Sequence, residues 1–181
     1  MFSDALSNIK DYPIKKLNIG TGEDAANKTL ELMSEIINKS FQNWRIRELA
    51  VNITKDLPAR DEYNEVMSIY EWVRNNTRFV RDPRGTELLH SPLVALDKIA
   101  MGDKFSGDCD DLSILLASLI KSIGYPIALR IASYKEDKCF SHVYVLVKVK
   151  GQWISLDPIL PQEYNAHFEL PNITRLADIE I

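Results

Sequence analysis

Three residues of this chain have the types and the placement to share one chemistry: Cys109, His142 and Asp157. Cys109 opens the segment CDDLSILLASLIKSIGYP, whose apolar body, Gly124 stop and Pro126 beyond it predict a helix. A thiol in the first turn of a helix meets unpaired N–H groups and the positive end of the dipole, and both favour a thiolate. With a cationic neighbour, such positions lower a cysteine pKa from about 8.5 to roughly 3.5–7.5. The flanking Asp108, Asp110 and Asp111 oppose this. A histidinium beside the sulfur has to outweigh them, and at least two of the three carboxylates read as caps of the helix start.

His142 begins the longest strand-like run, HVYVLVKVK. Strand alternation puts Phe140, His142 and Tyr144 on one face and Cys139, Ser141 and Val143 on the other, so Cys139 is the weaker nucleophile. With Lys150 and Gly151 as the central residues of a tight turn, Asp157 falls opposite Tyr144 and diagonal to His142 on the same face. Diagonal neighbours lie roughly 7–8 Å apart, a gap that side chains bridge. An aspartate there can fix the imidazole tautomer and stabilise its charged form. Singly, each residue has an ordinary explanation: a small core cysteine, a structural histidine, an Asp-Pro turn. Together, a cysteine at a helix start with a histidine and an aspartate on one face of the sheet point to nucleophilic catalysis.

The elements that must position them change character near residue 125, from helical periodicity to alternation. The first twenty residues, with Pro13 and Gly20, read as an irregular arm. A helix follows the capping signal at residues 21–24, with Leu30, Met33, Ile36 and Ile37 inward. A second starts at Ser40 with Phe41, Trp44, Leu49 and Ile53 as its stripe. A third runs from Asp61 to about Asn76 with Val66, Ile69, Tyr70 and Val73 inward. The stretch TRFVRDPRGTELLHSP is non-helical, and a short helix from Ser91 carries Leu93, Leu96 and Ile99 inward. Beyond Pro126, IALRIAS, HVYVLVKVK and QWISLD predict three strands, the last two a hairpin. Helices first and sheet after give an α+β class.

A formal charge of −4 argues against nucleic acid or an anionic membrane as partner, because phosphate binding needs a basic face. Arg74, Arg78, Arg81 and Arg84 read as part of a mixed, solvated surface. No apolar run reaches membrane-spanning length and the N-terminal residues lack a signal-peptide pattern, so a cytoplasmic or phage-particle location is expected. Neither His90 nor His167 has metal-ligand spacing with a cysteine, and no calcium loop or phosphate-binding glycine loop occurs. No metal or cofactor is expected. Trp44 and Trp72 read as core residues, as does Trp153, which can also shield the His142–Asp157 pair. The loop Arg78–Glu87 is a candidate cleft wall.

The segments GDCDD, HVYV and WISLDP, with the upstream IYEWVRNNTRFVRDP, resemble the transglutaminase-like branch of the papain-like cysteine enzymes. DPRGTELLHSP and the N-terminal helices are similar to the branch members encoded by bacteriophages and prophages. The resemblance implies a papain/transglutaminase-like core, with a central helix starting at the cysteine and packed on an antiparallel sheet, plus N-terminal helices. It implies three parts: an arm with helices over residues 1–60, a catalytic core over 61–165 and a tail over 166–181. Cys109, His142 and Asp157 take the nucleophile, base and orienting roles, with a protein or peptide substrate and, for a phage member, structural proteins as partners. The expected activity is attack on an amide or peptide bond through an acyl-thioester, hydrolysis ranking before amine transfer because the chain is short and shows no second-substrate site. The alternatives are a non-catalytic module of a phage particle and a redox pair of Cys109 with Cys139.

Overall fold

A computed structural model describes residues 15–17, 23–83, 87–134, 140–161, 167, 169 and 173–181. In chain order the described elements are β1 (Lys15–Leu17), α1 (Glu23–Ser40), α2 (Trp44–Thr54), α3 (Glu62–Asn76), β2 (Thr77–Phe79), β3 (Glu87–Leu89) and α4 (Pro92–Ala100). They continue with β4 (Phe105–Gly107), α5 (Cys109–Ser122), β5 (Ile127–Ser133), β6 (His142–Val149), β7 (Gln152–Leu156) and β8 (Arg175–Glu180). Helices precede an antiparallel four-stranded sheet of order β7-β6-β5-β8, the α+β class expected.

The apolar run after Cys109 dictates the centre of the fold. Every residue from Asp110 to Ile120 is buried, because α5 is covered by α1, α2 and α3 on one side and by the sheet on the other. The odd-numbered residues Val143, Val145, Val147 and Val149 of β6 pack with α5 in the main core, together with Ile127, Leu129 and Ile131 of β5. Tyr144 and Leu146 form a smaller cluster with Ala128 and Ala132 on the far face. Helix α3 buries the four predicted positions Val66, Ile69, Tyr70 and Val73, and α1 buries Leu30, Met33, Ile36 and Ile37. Ser91 caps α4 as predicted, its hydroxyl accepting from Leu93 N–H. The cap predicted for α1 lies outside the described residues.

Several expectations need correction. Helix α2 starts at Trp44 and not at Ser40: Asn43 caps it, accepting from Arg45 N–H at 3.0 Å, and Ser40 ends α1. The buried residues of α2 are Ile46 and Ala50, the predicted Leu49 and Ile53 pack against the core beside them, and Trp44 is 58% exposed. Within the predicted irregular arm, Lys15–Leu17 pairs antiparallel with Glu87–Leu89. After residue 157 the sequence reading has no strand, yet β8 pairs with β5 along its length. Both elements are short or polar, with too little alternation to announce a strand. Phe140 lies outside β6 and packs on the main core, not on the His142 face.

The β6–β7 hairpin has the predicted register, Val145 opposite Leu156 and Val149 opposite Gln152. Lys150 (φ 49°) and Gly151 (φ 81°) both take left-handed backbone, as a two-residue turn of the primed type demands. Gly151 meets no steric obstacle, so only its backbone resists a side chain. Gly151→Val should cost about 1–2 kcal/mol through that backbone alone, read as a lower urea midpoint with an unchanged m-value.

Candidate active site

The backbone of β6 sets the geometry. Lys148 N–H donates to Pro126 O at 3.0 Å, so the even-numbered residues of β6 bond toward β5 and the odd-numbered toward β7. Strand β7 ends at Leu156, opposite Val145. Continuing the register sets Val143 opposite Pro158, which has no N–H to donate. The edge of β6 at Val143 is instead taken by α5. The Ser113 hydroxyl donates to Val143 O at 3.2 Å, and Val143 N–H bonds toward the sulfur of Cys109, one helical turn before Ser113. The cysteine thus reaches the sheet at its open edge, next to the first residue of β6.

That residue is His142, on the face opposite α5 with Tyr144, its ring 5.6 Å from the Tyr144 ring. Its Nε2 donates to Asp157 Oδ2 at 2.6 Å, and both side chains are buried. Asp157 Oδ1 accepts from Ile159 N–H at 3.1 Å, which fixes the carboxylate just past the end of β7. The structure therefore brings His142 and Asp157 together and sets Cys109 against Val143. Tyr134, whose ring lies 5.9 Å from that of His142, is pushed up to about 12, by burial first and then by the charges of Asp157 and Glu169.

Burial pushes the Cys109 thiol well up, Asp110 and Asp108 push it further, and Val143 N–H pulls it down. The expected gain from the helix start is outweighed: the thiol keeps its proton, donated to Asp110 Oδ1 across 3.5 Å. Asp108 acts as a cap, accepting from Asp110 N–H, and Asp110 and Asp111 lie in the first turn of the helix. Asp108, Cys109 and Asp110 also offer ligand atoms within 4.8 Å of one another, the donor spacing of a metal site. All three are already engaged with the helix start or with each other.

A model of the transglutaminase-like superfamily matches residues 47–158. The chain belongs to that superfamily. Among solved structures it is similar to a proposed protease from Parabacteroides distasonis, with TM-score 0.53, 15% identity, and coverage of 71% of this chain and 25% of that one. A proposed cysteine protease from Cytophaga hutchinsonii gives TM-score 0.51 and 18% identity, covering 82% of this chain and 45% of that one. The chain thus spans between a quarter and just under half of these neighbours, and the likeness is one of fold. No curated protein sequence matches it.

Within residues 47–158 this chain carries a second histidine–aspartate pair that its sequence does not announce. Asp111, buried in the first turn of α5, accepts from His90 N–H at 2.8 Å and bonds the His90 ring at Nδ1 at 2.9 Å. It fastens the segment before α4 to the helix start beside Cys109. Gly107 makes room: a Cβ there would lie 2.6 Å from Asp111 Cβ and 2.7 Å from its Oδ2. The signal available in the sequence was Gly107 two residues before the cysteine, a position where the backbone approaches closely. In the loop read as a cleft wall, Asp82 holds Leu88 N–H and Arg78 Nε donates to Ser106 Oγ at 2.6 Å. Phe79 and Val80 stand exposed there, beside Gly107. Residues 84–86 and Cys139 lie outside the described residues.

Two tryptophans and one histidine also find their places. Trp72 packs against the core as predicted. Trp153 is 38% exposed and carries Lys148 over its ring at 5.7 Å, so it neither packs in the core nor shields Asp157. His167 bonds the Tyr63 hydroxyl through Nε2 at 3.0 Å. No described helix is long and apolar enough to cross a membrane.

The hydrogen bond to Asp111 holds the His90 imidazole above its ordinary range, against the opposing effect of burial. Its charged form stabilises the fold fully below the unfolded pKa, about 6.5, and that contribution fades as pH rises through the higher folded value. The stability lost in His90→Ala should accordingly be largest near pH 5.5 and shrink toward pH 8, measured by urea unfolding across that range.

Proposed function

We propose that this protein is a cysteine-nucleophile enzyme acting on amide or peptide bonds, with Cys109 as nucleophile, His142 as base and Asp157 as the group that orients it. The observation that carries the reading is the buried 2.6 Å bond between His142 Nε2 and Asp157 Oδ2, at the end of β6 where the cysteine-bearing helix arrives. With Nε2–H committed to Asp157, the proton-accepting nitrogen of the neutral ring is Nδ1.

The raised thiol favours loss of its proton in step with attack by the sulfur. Sγ adds to the substrate carbonyl carbon while Nδ1 of His142 takes the thiol proton. Collapse of the tetrahedral adduct breaks the C–N bond, and the imidazolium returns that proton to the leaving amine. The products of this half are a free amine and a thioester on Cys109. Water then attacks the thioester, His142 takes its proton and passes it to the departing sulfur. The Cys109 backbone N–H, in the first turn of α5, is an oxyanion donor.

Hydrolysis ranks first, water being the acceptor that needs no dedicated site. A second reading, transfer to an amine, draws support from Asp108 and Asp110, whose carboxylates flank the sulfur and attract a cationic acceptor. Incubation with a peptide pool and a labelled primary amine separates them. Peptide cleavage, lost in Cys109→Ala and reduced roughly 10²–10⁴-fold in His142→Ala, supports hydrolysis. Stable amine incorporation outrunning cleavage reverses the ranking, and neither product leaves a non-catalytic module.

The rate of Cys109 alkylation by iodoacetamide provides an independent check. Its inflection should lie above the usual thiol value of about 8.5 and move down in Asp110→Asn, since that carboxylate raises the thiol. A profile that Asp110→Asn leaves in place contradicts the electrostatic account.

A further inference from the structure

We infer that Tyr70 and Arg74 are positioning residues for the orienting aspartate: together they hold the turn whose conformation puts Asp157 Oδ2 on His142 Nε2. The inference rests on the reading of that pair as catalytic, and goes beyond it by assigning a role to α3. Tyr70 had been read as plain core and Arg74 as solvated surface; the structure corrects the second. One helical turn apart on α3, the two side chains reach the same four-residue segment, 157–160. The buried Tyr70 hydroxyl donates to Asp157 O at 2.9 Å. Arg74 Nη2 donates to Leu160 O at 2.7 Å, and its Nη1 donates to the Tyr70 hydroxyl at 3.4 Å with the guanidinium 5.3 Å from the phenol ring centroid.

Packing holds the segment, with Pro158 and Leu160 buried and Ile159 against the core, but few hydrogen bonds fix its backbone. It begins where β7 ends, so no ladder bond holds it. Pro158 has no N–H, and the internal bonds are Ile159 N–H to Asp157 Oδ1 at 3.1 Å and Leu160 N–H to Asp157 O at the longer 3.3 Å. The carbonyls at both ends of the turn are therefore anchored from α3. A tilt of Asp157 by a fraction of an ångström would lengthen a 2.6 Å bond whose other partner, His142, is fixed in the sheet. Tyr70 thus supports the aspartate through its backbone, and Arg74 sets both the phenol and the far end of the turn. A core tyrosine could have been a phenylalanine were packing its sole task; the hydroxyl is what the geometry uses.

The test takes the full chain with Tyr70→Phe, Arg74→Met and the conservative Arg74→Lys, each studied well below its melting temperature. One readout is the His142 Nε2–H proton in ¹⁵N-edited NMR, strongly deshielded by a short bond to a carboxylate. The other is kcat and KM for whichever acyl substrate the chain turns over. Expected are loss or upfield movement of the Nε2–H resonance in Tyr70→Phe and Arg74→Met, a fall in kcat of roughly 10–100-fold at unchanged KM, and partial recovery in Arg74→Lys. Retention of the wild-type resonance and kcat, with lowered thermal stability alone, overturns the inference and makes both residues merely structural. Should Tyr70→Phe not fold, the Arg74→Met and Arg74→Lys pair decides by the same readouts. Absence of turnover in the wild type overturns the catalytic reading alone, since the resonance still decides whether α3 holds Asp157.

Discussion

The site depends on where strand β7 stops. An antiparallel strand presents bonding groups to both neighbours, and β6 loses its neighbour on one side when β7 ends at Leu156. The unpaired N–H and C=O of Val143 need partners, because buried backbone groups left unmade are costly. The first turns of α5 supply them through Cys109 and Ser113. One exchange of partners at one residue thereby fixes the helix against the sheet and places the thiol beside the start of β6. His142 and Asp157 lie on the face that α5 does not cover, and Cys109 meets the sheet at Val143, the residue next to His142.

Electrostatics at this junction run against a preformed ion pair. Burial and two adjacent carboxylates push the thiol up, and the backbone N–H of Val143 opposes them. Asp108 caps the helix and Asp110 accepts the hydrogen bond of the thiol, while Asp111 holds His90. The three acidic neighbours of Cys109 thus do three different things: Asp108 precedes the helix, and Asp110 and Asp111 are turned from each other by the roughly 100° of one helical residue. The same rotation explains why Gly107 has to be small, since Asp111 folds back over it.

Much of this was legible from pattern. The dense apolar run after Cys109, the alternation after Pro126 and the Lys150-Gly151 turn led to the helix, the strands and the hairpin register, because each depends on local periodicity or backbone preference. The α2 start was misplaced because Ser40 and Asn43 are both capping types three residues apart, and only packing chooses between them. Trp44 and Trp153 were misread as core for a related reason: a large apolar side chain at the right spacing is not thereby covered. Strand β8 was invisible, its Arg175, Asp178 and Glu180 masking any alternation, and it exists because the edge of β5 is there to pair with it.

What the sequence by itself determined is the local: residue types, the periodicities that place Cys109 at a helix start and His142 at a strand start, and the turn that carries Asp157 to the same face. What only the tertiary structure decided is every relation between residues far apart in the chain. The grip of Tyr70 and Arg74 on the 157–160 turn spans more than eighty residues, and the His90–Asp111 pair spans twenty-one. Such contacts leave no periodic trace, since they arise from how elements pack and not from how each forms. The protonation of Cys109 belongs with them. The sequence shows the three aspartates beside it, but burial sets the larger share, and burial is a property of the folded whole.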